Sequence, residues 1–276
     1  GLVEGEDGER RAEEQGAPQP GRCLPLRWRV RGFGGAHRFD DSTAAGDNVQ
    51  VRAGLTEVYA VAILNLSASF AGKALTLAFD LLSRRTRDRE KYGDRLPPGQ
   101  KVVDDWPVLT YGGTPRIDPA TWRLRVFGAV DQEVEFTWEH LRALPAATVK
   151  CDIHCVTSWS RMDNEFEGVL FQELLNHFKP LPSATQVMAH CYGGYTTNVL
   201  LSDLMRANVL LAYKHDGKEL APSHGGPVRL VVPHLYFWKS AKWLRGLQFM
   251  EKEEAGFWEM YGYHMRGDPW KEERYS

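Results

Sequence analysis

Three absences narrow the reading of this chain. Its four cysteines, Cys23, Cys151, Cys155 and Cys191, are too few for a disulfide scaffold in 276 residues and contain no C-x-x-C pair, which fits a reducing compartment. No C-x-x-C-H haem attachment is present, so an electron partner is expected to be a separate molecule. Charge of one sign is also lacking. With 34 basic and 36 acidic residues, nothing argues for a nucleic-acid or membrane-surface partner. Finally, neither G-x-x-x-x-G-K-[ST] nor G-x-G-x-x-G occurs, which disfavours the ordinary nucleotide folds.

The length suits one large or two small domains with a full core. Residues 1 to about 54 are rich in glycine and charge with little periodicity, and the sequence opens on Gly1 rather than Met. Residues 1–95 are therefore expected to be an extension, poorly ordered or not native to the domain. Its apolar segment, Val58 to Phe79, would almost span a bilayer, but Asn65, Ser67, Ser69 and Lys73 sit inside it. A central lysine is costly in a membrane helix. The expected alternative is a helix packed on the main domain or a foreign segment. Ser83-Arg84-Arg85 fails as a twin-arginine export signal because charge follows where an apolar run is required. That charged run and Leu96-Pro97-Pro98-Gly99 read as a linker, and the domain is expected over 96–276.

Within it, Trp122, Leu124 and Val126 alternate with Arg123 and Arg125 as a strand ended by Gly128. Thr137 is placed to cap a short helix through Leu144, with Pro145 as the stop. Leu170, Phe171, Leu174, Leu175 and Phe178 share a helical face ended by Pro180. Gln186 to Cys191 reads as a strand, Ser202 as a helix cap, and Val209 to Leu220 as a hairpin through Asp216-Gly217. Pro227 to Pro233 reads as a buried strand. Strands and helices mix without βαβ alternation, which predicts an α+β domain.

Two stretches carry the chemistry. From Val149 the chain alternates, with Val149, Cys151, Ile153 and Cys155 on one side and Lys150, Asp152 and His154 on the other, as a half-buried strand does. The pattern stops at Thr157-Ser158-Trp159-Ser160, so Cys155 falls where a strand runs into a polar loop. His154 and Arg161 lie close in sequence, and a positive, partly open setting favours the thiolate. Further on, Arg229 stands in the apolar run Gly225 to Val232. A guanidinium there needs an internal carboxylate or an anionic ligand. His224, Lys239, Ser240 and Lys242 converge on it, and the glycine pairs 193–194 and 225–226 allow close backbone approach, so a phosphate cradle is expected. The aromatic tail, Gly256 to Trp270, is expected to pack back on the domain near the site, with core cover the favoured role for its Trp and Phe residues.

A thiol at a strand end and a phosphate cradle about seventy residues later suit a cofactor with a metal at one end and a phosphate at the other. The runs Ile153-His154-Cys155-Val156-Thr157-Ser158-Trp159-Ser160, Gly194-Tyr195-Thr196-Thr197-Asn198, His224 to Pro233, Trp238-Lys239-Ser240-Ala241-Lys242-Trp243 and Gly262-Tyr263-His264 with Gly267-Asp268-Pro269-Trp270 resemble the sulfite oxidase-like molybdopterin oxidoreductases, from about Leu96 to the end. The resemblance implies that family's mixed sheets with short helices, a molybdopterin cofactor, and molybdenum held by the thiolate of Cys155, a soft ligand suited to a metal cycling by two electrons. It also implies that His224, Arg229, Trp238, Lys239 and Ser240 hold the pterin and its phosphate, with Thr196 beside it. The implied reaction is oxygen-atom transfer on a small sulfoxide, sulfite-like or related substrate, with the hard step belonging to the cofactor. His154, Arg161 and Tyr195 are candidate substrate contacts by position.

Two departures bear on function. Ser158 stands where close relatives often carry Arg, which weakens the case for an anionic substrate such as sulfite. The layout also lacks the additional dimerisation domain of sulfite oxidases proper, so a monomer is expected. The bacterial methionine sulfoxide reductase catalytic subunits are similar in layout but exported, and with no export signal visible here a cytoplasmic location is expected. Two readings compete with the enzyme. One is a zinc protein using His154/Cys155 and His190/Cys191, whose spacing is not that of a zinc finger. The other is a non-enzymatic module that binds a phosphate ligand.

Overall fold

The computed structural model describes Ser83 and residues 86–276. The extension over 1–54 and the apolar segment 58–79 lie outside those residues, as does Cys23. Among the described residues no helix is long and apolar enough to cross a membrane.

Among the described residues eleven strands form two sheets. The first holds β1 (Lys101–Val102), β4 (Ala146–His154), β5 (Trp159–Leu170), β8 (Leu210–His215), β9 (Lys218–Glu219) and β10 (Arg229–Val231), ordered β1-β5-β8-β10 with β4 also on β5 and β9 on β8. The second, β3-β2-β11-β6-β7, holds β2 (Arg123–Gly128), β3 (Val134–Thr137), β6 (Gln186–Cys191), β7 (Thr196–Leu200) and β11 (Leu244–Met250). The pairs β1–β5 and β2–β11 are parallel and the rest antiparallel. With helices this short and sheets mixed, the α+β expectation holds.

Local chemistry explains most boundaries. Thr137 Oγ1 accepts from His140 N at 3.1 Å and opens the helix Trp138–Ala143, the cap that an orphan first-turn amide needs. Gln186–Cys191 is a strand over the expected residues. Asp216 (φ 48°) and Gly217 (φ 74°) turn the β8–β9 hairpin, the paired left-handed residues such a turn requires.

Three expectations differ. The helix expected through Phe178 covers only Phe171–Leu174, although Phe178 is buried in the core. Ser202 lies inside the helix Leu201–Leu204, whose N-terminus has no side-chain cap. Residues 86–92, expected as linker, are helical. Close by, Arg95 pairs with Asp152 and Asp163 on β4 and β5, tying this stretch to the cysteine hairpin.

The first sheet is covered on both faces, and this places the site. Along β8, Leu211 and Tyr213 join the main core with Trp122, Leu124, Val187 and Leu247, while Leu210 and Ala212 join a second cluster with Ile153, Cys155, Trp159 and Tyr236. On β10, Leu230 faces the main core and Val231 the second cluster. By the two-residue period of a strand, Arg229 shares the face of Val231 and therefore of Cys155. Close packing of β5 on β8 needs Gly168, where a Cβ would lie 2.1 Å from Leu211 O.

Candidate active site

Cys155 is the first residue of the turn joining β4 to β5. Its N–H donates to Trp159 O at 2.8 Å and its carbonyl accepts from Ser158 N at 3.0 Å, with Ser158 at φ 70° closing the turn. The side chain is 8% exposed and opens on a cavity of about 340 Å3. Sγ lies 3.1 Å from Thr157 Oγ1. Burial pushes this thiol up, against the Thr157 hydrogen bond and the positive charge of Arg274. Cys151, pushed up to about 12 by burial, and Cys191 do not line the cavity.

The positive setting expected from His154 and Arg161 is absent. His154 is fully buried, bonded through Nδ1 to Ser160 Oγ at 2.8 Å, and burial pushes its pKa down to about 4. Arg161 reaches Asp216 Oδ2 at 2.8 Å, His215 Nε2 at 3.0 Å and Asn164 Oδ1. Neither residue lines the cavity. The cation acting on Cys155 comes instead from the far end of the chain.

The cluster around Arg161 has a consequence for acid stability. His215 has a side chain 12% exposed. Burial pushes it down to about 4, outweighing the pull of Asp216, with Arg161 acting in the same direction as burial. Its folded pKa is below the unfolded value, so the unfolded chain binds the proton first as pH falls. The contribution is complete above about pH 6.5 and is lost as pH falls through 4. His215→Gln should therefore remove about 2–3 kcal/mol at most from the acid dependence of unfolding between those limits. Urea melts at pH 7, 5.5 and 4.5 check this, and an unchanged slope would contradict it.

Arg229 is 1% exposed, and its two Nη groups donate to His224 O and Ser240 O, each at 2.7 Å. Among the described residues there is no internal carboxylate for it: Arg229 makes no ion pair there, and its Nε–H has no acceptor there. Burial pushes its pKa down to about 9. Rings of Phe237 (4.2 Å) and Trp106 (5.3 Å) flank the guanidinium. It lines the same cavity as Cys155, with His224, Trp238 and Ser240. His224 stacks on Trp106 at 4.0 Å and is held down to about 4, chiefly by burial and then by Arg229.

Two expected cradle residues lie elsewhere. Lys239 is fully buried but does not line the cavity. Its ammonium donates to Glu259, to Asn198 O and Oδ1 at 2.8 Å each, and to Met265 O at 2.6 Å. This locks Lys239 to the C-terminal segment. Thr196 pairs with His190 on β6 and is also off the cavity wall. The lysine at the wall is Lys242, whose Nζ donates to Leu109 O at 3.0 Å, to Ser223 O at 3.1 Å and to Thr110 Oγ1. Burial and then Arg229 bring it down to about 8.

Tyr195 lines the wall with its hydroxyl donating to Trp238 O at 2.8 Å. The aromatic tail contributes Trp258 and Tyr263 to the wall, whereas the sequence favours core cover for its Trp and Phe residues. Missed from the sequence was Trp106 to Tyr111, which forms one side of the cavity without regular structure. Its signal was the Trp106-Pro107 pair just past the linker.

A soft sulfur, two cations without carboxylate partners and flat aromatic walls facing one cavity fit a planar, anionic, metal-bearing group. Zinc fits poorly. His190 Nε2 is bonded to Gln248 Oε1 at 2.9 Å in the other sheet, and among the described residues no three His, Cys, Asp or Glu side chains converge as metal ligands.

Residues 111–258, more than half the chain, match the model of the oxidoreductase molybdopterin binding domain. The chain belongs to this family. It is a molybdenum-dependent oxidoreductase with molybdopterin as its cofactor. It is 46% identical over 193 residues to the uncharacterized oxidoreductase YuiH of Bacillus subtilis, covering 70% of this chain and 97% of that one. It is 27% identical over 173 residues to the putative protein-methionine-sulfoxide reductase subunit YedZ1 of Azospira oryzae, covering 62% of this chain and 66% of that one. Among solved structures it is similar to the sulfane dehydrogenase SoxCD from Paracoccus pantotrophus, with a TM-score of 0.47, 24% identity and coverage of 51% of this chain and 41% of that one.

Proposed function

We propose that this molybdopterin oxidoreductase carries out two-electron oxygen-atom transfer on a small neutral sulfur substrate, a sulfoxide in the first place, with Cys155 as the protein ligand to molybdenum. The observation that carries the reading is the opening of Cys155 and the carboxylate-free Arg229 onto one cavity. Arg229 Nε–H, Ser240 and Lys242 would hold the phosphate, and His224 and Trp238 would hold the pterin. The cofactor, when bound, supplies the redox and oxygen-transfer chemistry. The chain binds and orients, and its aromatic walls exclude water, which strengthens charge interactions inside. Tyr195 keeps its proton, because burial and then Glu259 push its phenol well up.

The choice of a neutral substrate follows from what surrounds the sulfur. Of the residues that line the cavity with Cys155, the cations Arg229 and Lys242 are assigned to the phosphate, and Val156, Thr157, Trp159, Trp258 and Tyr263 carry no charge; Ser158 is uncharged, Arg161 is engaged with Asp216 and Arg274 with Val156 O, off the cavity wall. A sulfite dianion there would lie desolvated beside an anionic thiolate, which is unfavourable. The name of the YedZ1 relative points the same way. Reduction of a sulfoxide consumes two electrons and two protons and gives the sulfide and water. A separate protein or small carrier supplies the electrons, and the chain acts as a monomer.

Elemental analysis of protein from a host able to make the cofactor, with turnover of an alkyl sulfoxide against sulfite, tests the reading. One molybdenum per chain and a kcat/KM for the sulfoxide about 100-fold above that for sulfite are expected, since one uncompensated charge contact is worth a few kcal/mol. Stoichiometric zinc would overturn the metal assignment. A preference for sulfite would overturn the neutral substrate.

A further inference from the structure

The turn that carries Cys155 is held by more than its own hairpin. On the N-terminal side of the Cys155 Cα, the peptide plane is fixed by Cys155 N donating to Trp159 O at 2.8 Å. On the C-terminal side, Gln100 Nε2 donates to Cys155 O at 3.0 Å. Gln100 is itself 4% exposed, and its Oε1 accepts from Ser160 Oγ at 3.4 Å. The next carbonyl, Val156 O, accepts from Arg274 Nη1. Arg274 makes no ion pair among the described residues, and its guanidinium lies 5.0 Å from the Tyr236 ring. The tail delivers it: His264 N donates to Arg274 O at 3.2 Å, Ser276 N to Gly262 O at 3.0 Å, and Tyr263, a cavity residue, bridges to Tyr275.

The direction of a Cα–Cβ bond follows from the two peptide planes that flank it. Trp159 sets one plane at Cys155 and Gln100 the other, and Arg274 prevents the following plane from rotating. Ser158, at φ 70°, holds a conformation that serine rarely adopts, so the turn needs outside support. We propose that Gln100 and Arg274 are positioning residues for the metal ligand, together setting where the Cys155 sulfur enters the cavity. Neither lines the cavity, so each acts through the turn.

The inference rests on Cys155 being the metal ligand, and the experiment separates the two claims. Arg274→Gln, Arg274→Lys, Gln100→Leu and Cys155→Ala are compared in the holoenzyme by molybdenum content, melting temperature, turnover and the thiolate-to-metal absorption band per molybdenum. Arg274→Gln and Gln100→Leu should move the band and lower turnover about 10–100-fold, as misplacement near 1 Å does. Arg274→Lys, which keeps a donor, should recover most of the loss. Molybdenum lost at an unchanged melting temperature is the stronger form of the same result. Arg274 is half-buried, so its variants carry the test should Gln100→Leu fail to fold. A wild-type band in both, or a fall in melting temperature alone, overturns the positioning role. A band that survives Cys155→Ala overturns the ligand reading instead.

Discussion

Cys155→Ala is expected to bring turnover to background while leaving a folded chain. The substitution removes one sulfur, and the side chain is already 8% exposed at a cavity wall with a single polar contact, to Thr157. Truncations of that size cost about 1–2 kcal/mol, well inside the stability of a domain this large. The turn keeps its shape because its hydrogen bonds use the backbone of residue 155, which alanine retains. Cys155→Ser should not rescue activity. It restores size and polarity, but a hydroxyl is a hard, weakly acidic ligand and the metal needs a soft anionic one. Cys151→Ala and Cys191→Ala serve as controls, since both residues lie off the cavity and should keep turnover near wild type. Turnover alongside circular dichroism and a thermal melt decides the matter. Full activity in folded Cys155→Ala would remove the thiolate from the mechanism.

What could be read from the sequence was mostly local. The strand Gln186–Cys191, the Thr137 cap and the Asp216-Gly217 turn each depend on a few adjacent residues, so their signals survive without tertiary knowledge. The same holds for Arg229, where a guanidinium in an apolar run announced a buried cation. What failed depended on which face of an element meets which neighbour. The alternation at 149–155 suggested a strand with one polar side, yet His154 is fully buried, because Ser160 and Trp270 cover that side from the hairpin and from the C-terminal tail. Lys239 and Lys242 are three residues apart in one motif. The 3-10 helix Phe237–Lys239 turns the first toward Glu259 and leaves the second at the cavity. Arg161 is adjacent to the cysteine turn in sequence, but its partners His215 and Asp216 are more than fifty residues away. Arg274 lies still further from the residues it supports, at a sequence separation of 118 from Val156.

Arg229→Met should leave the stability of the cofactor-free protein nearly unchanged and weaken cofactor retention in the loaded one. In the cofactor-free chain the guanidinium is a buried cation with no carboxylate partner among the described residues, and burial, opposed by Cys191, pulls its pKa down to about 9, so the fold pays for its charge. Methionine follows the stem of arginine, is flexible, and suits the Phe237 and Trp106 rings that flank the site. Against this, the carbonyls of His224 and Ser240 lose their donors, at about 1–3 kcal/mol for each buried group left unpaired. Removal of an uncompensated buried charge returns a comparable amount, about 1–4 kcal/mol in swaps of buried ion groups for apolar ones. The two nearly cancel, and the cofactor-free variant should unfold within about 1 kcal/mol of wild type. Once the anionic cofactor is present the comparison changes, because the variant has lost a buried, positively charged donor, Nε–H, that has no acceptor among the described residues. A charge-assisted hydrogen bond of this kind contributes about 1.5–3 kcal/mol, or roughly 10- to 150-fold in cofactor retention. Arg229→Lys should recover only part, since an ammonium lacks the fork that spans His224 O and Ser240 O. Denaturant melts of the cofactor-free proteins and the rate of pterin release from the loaded ones measure the two halves. A loss well above 3 kcal/mol without cofactor would make Arg229 a structural residue, and unchanged pterin release would take it out of the cradle.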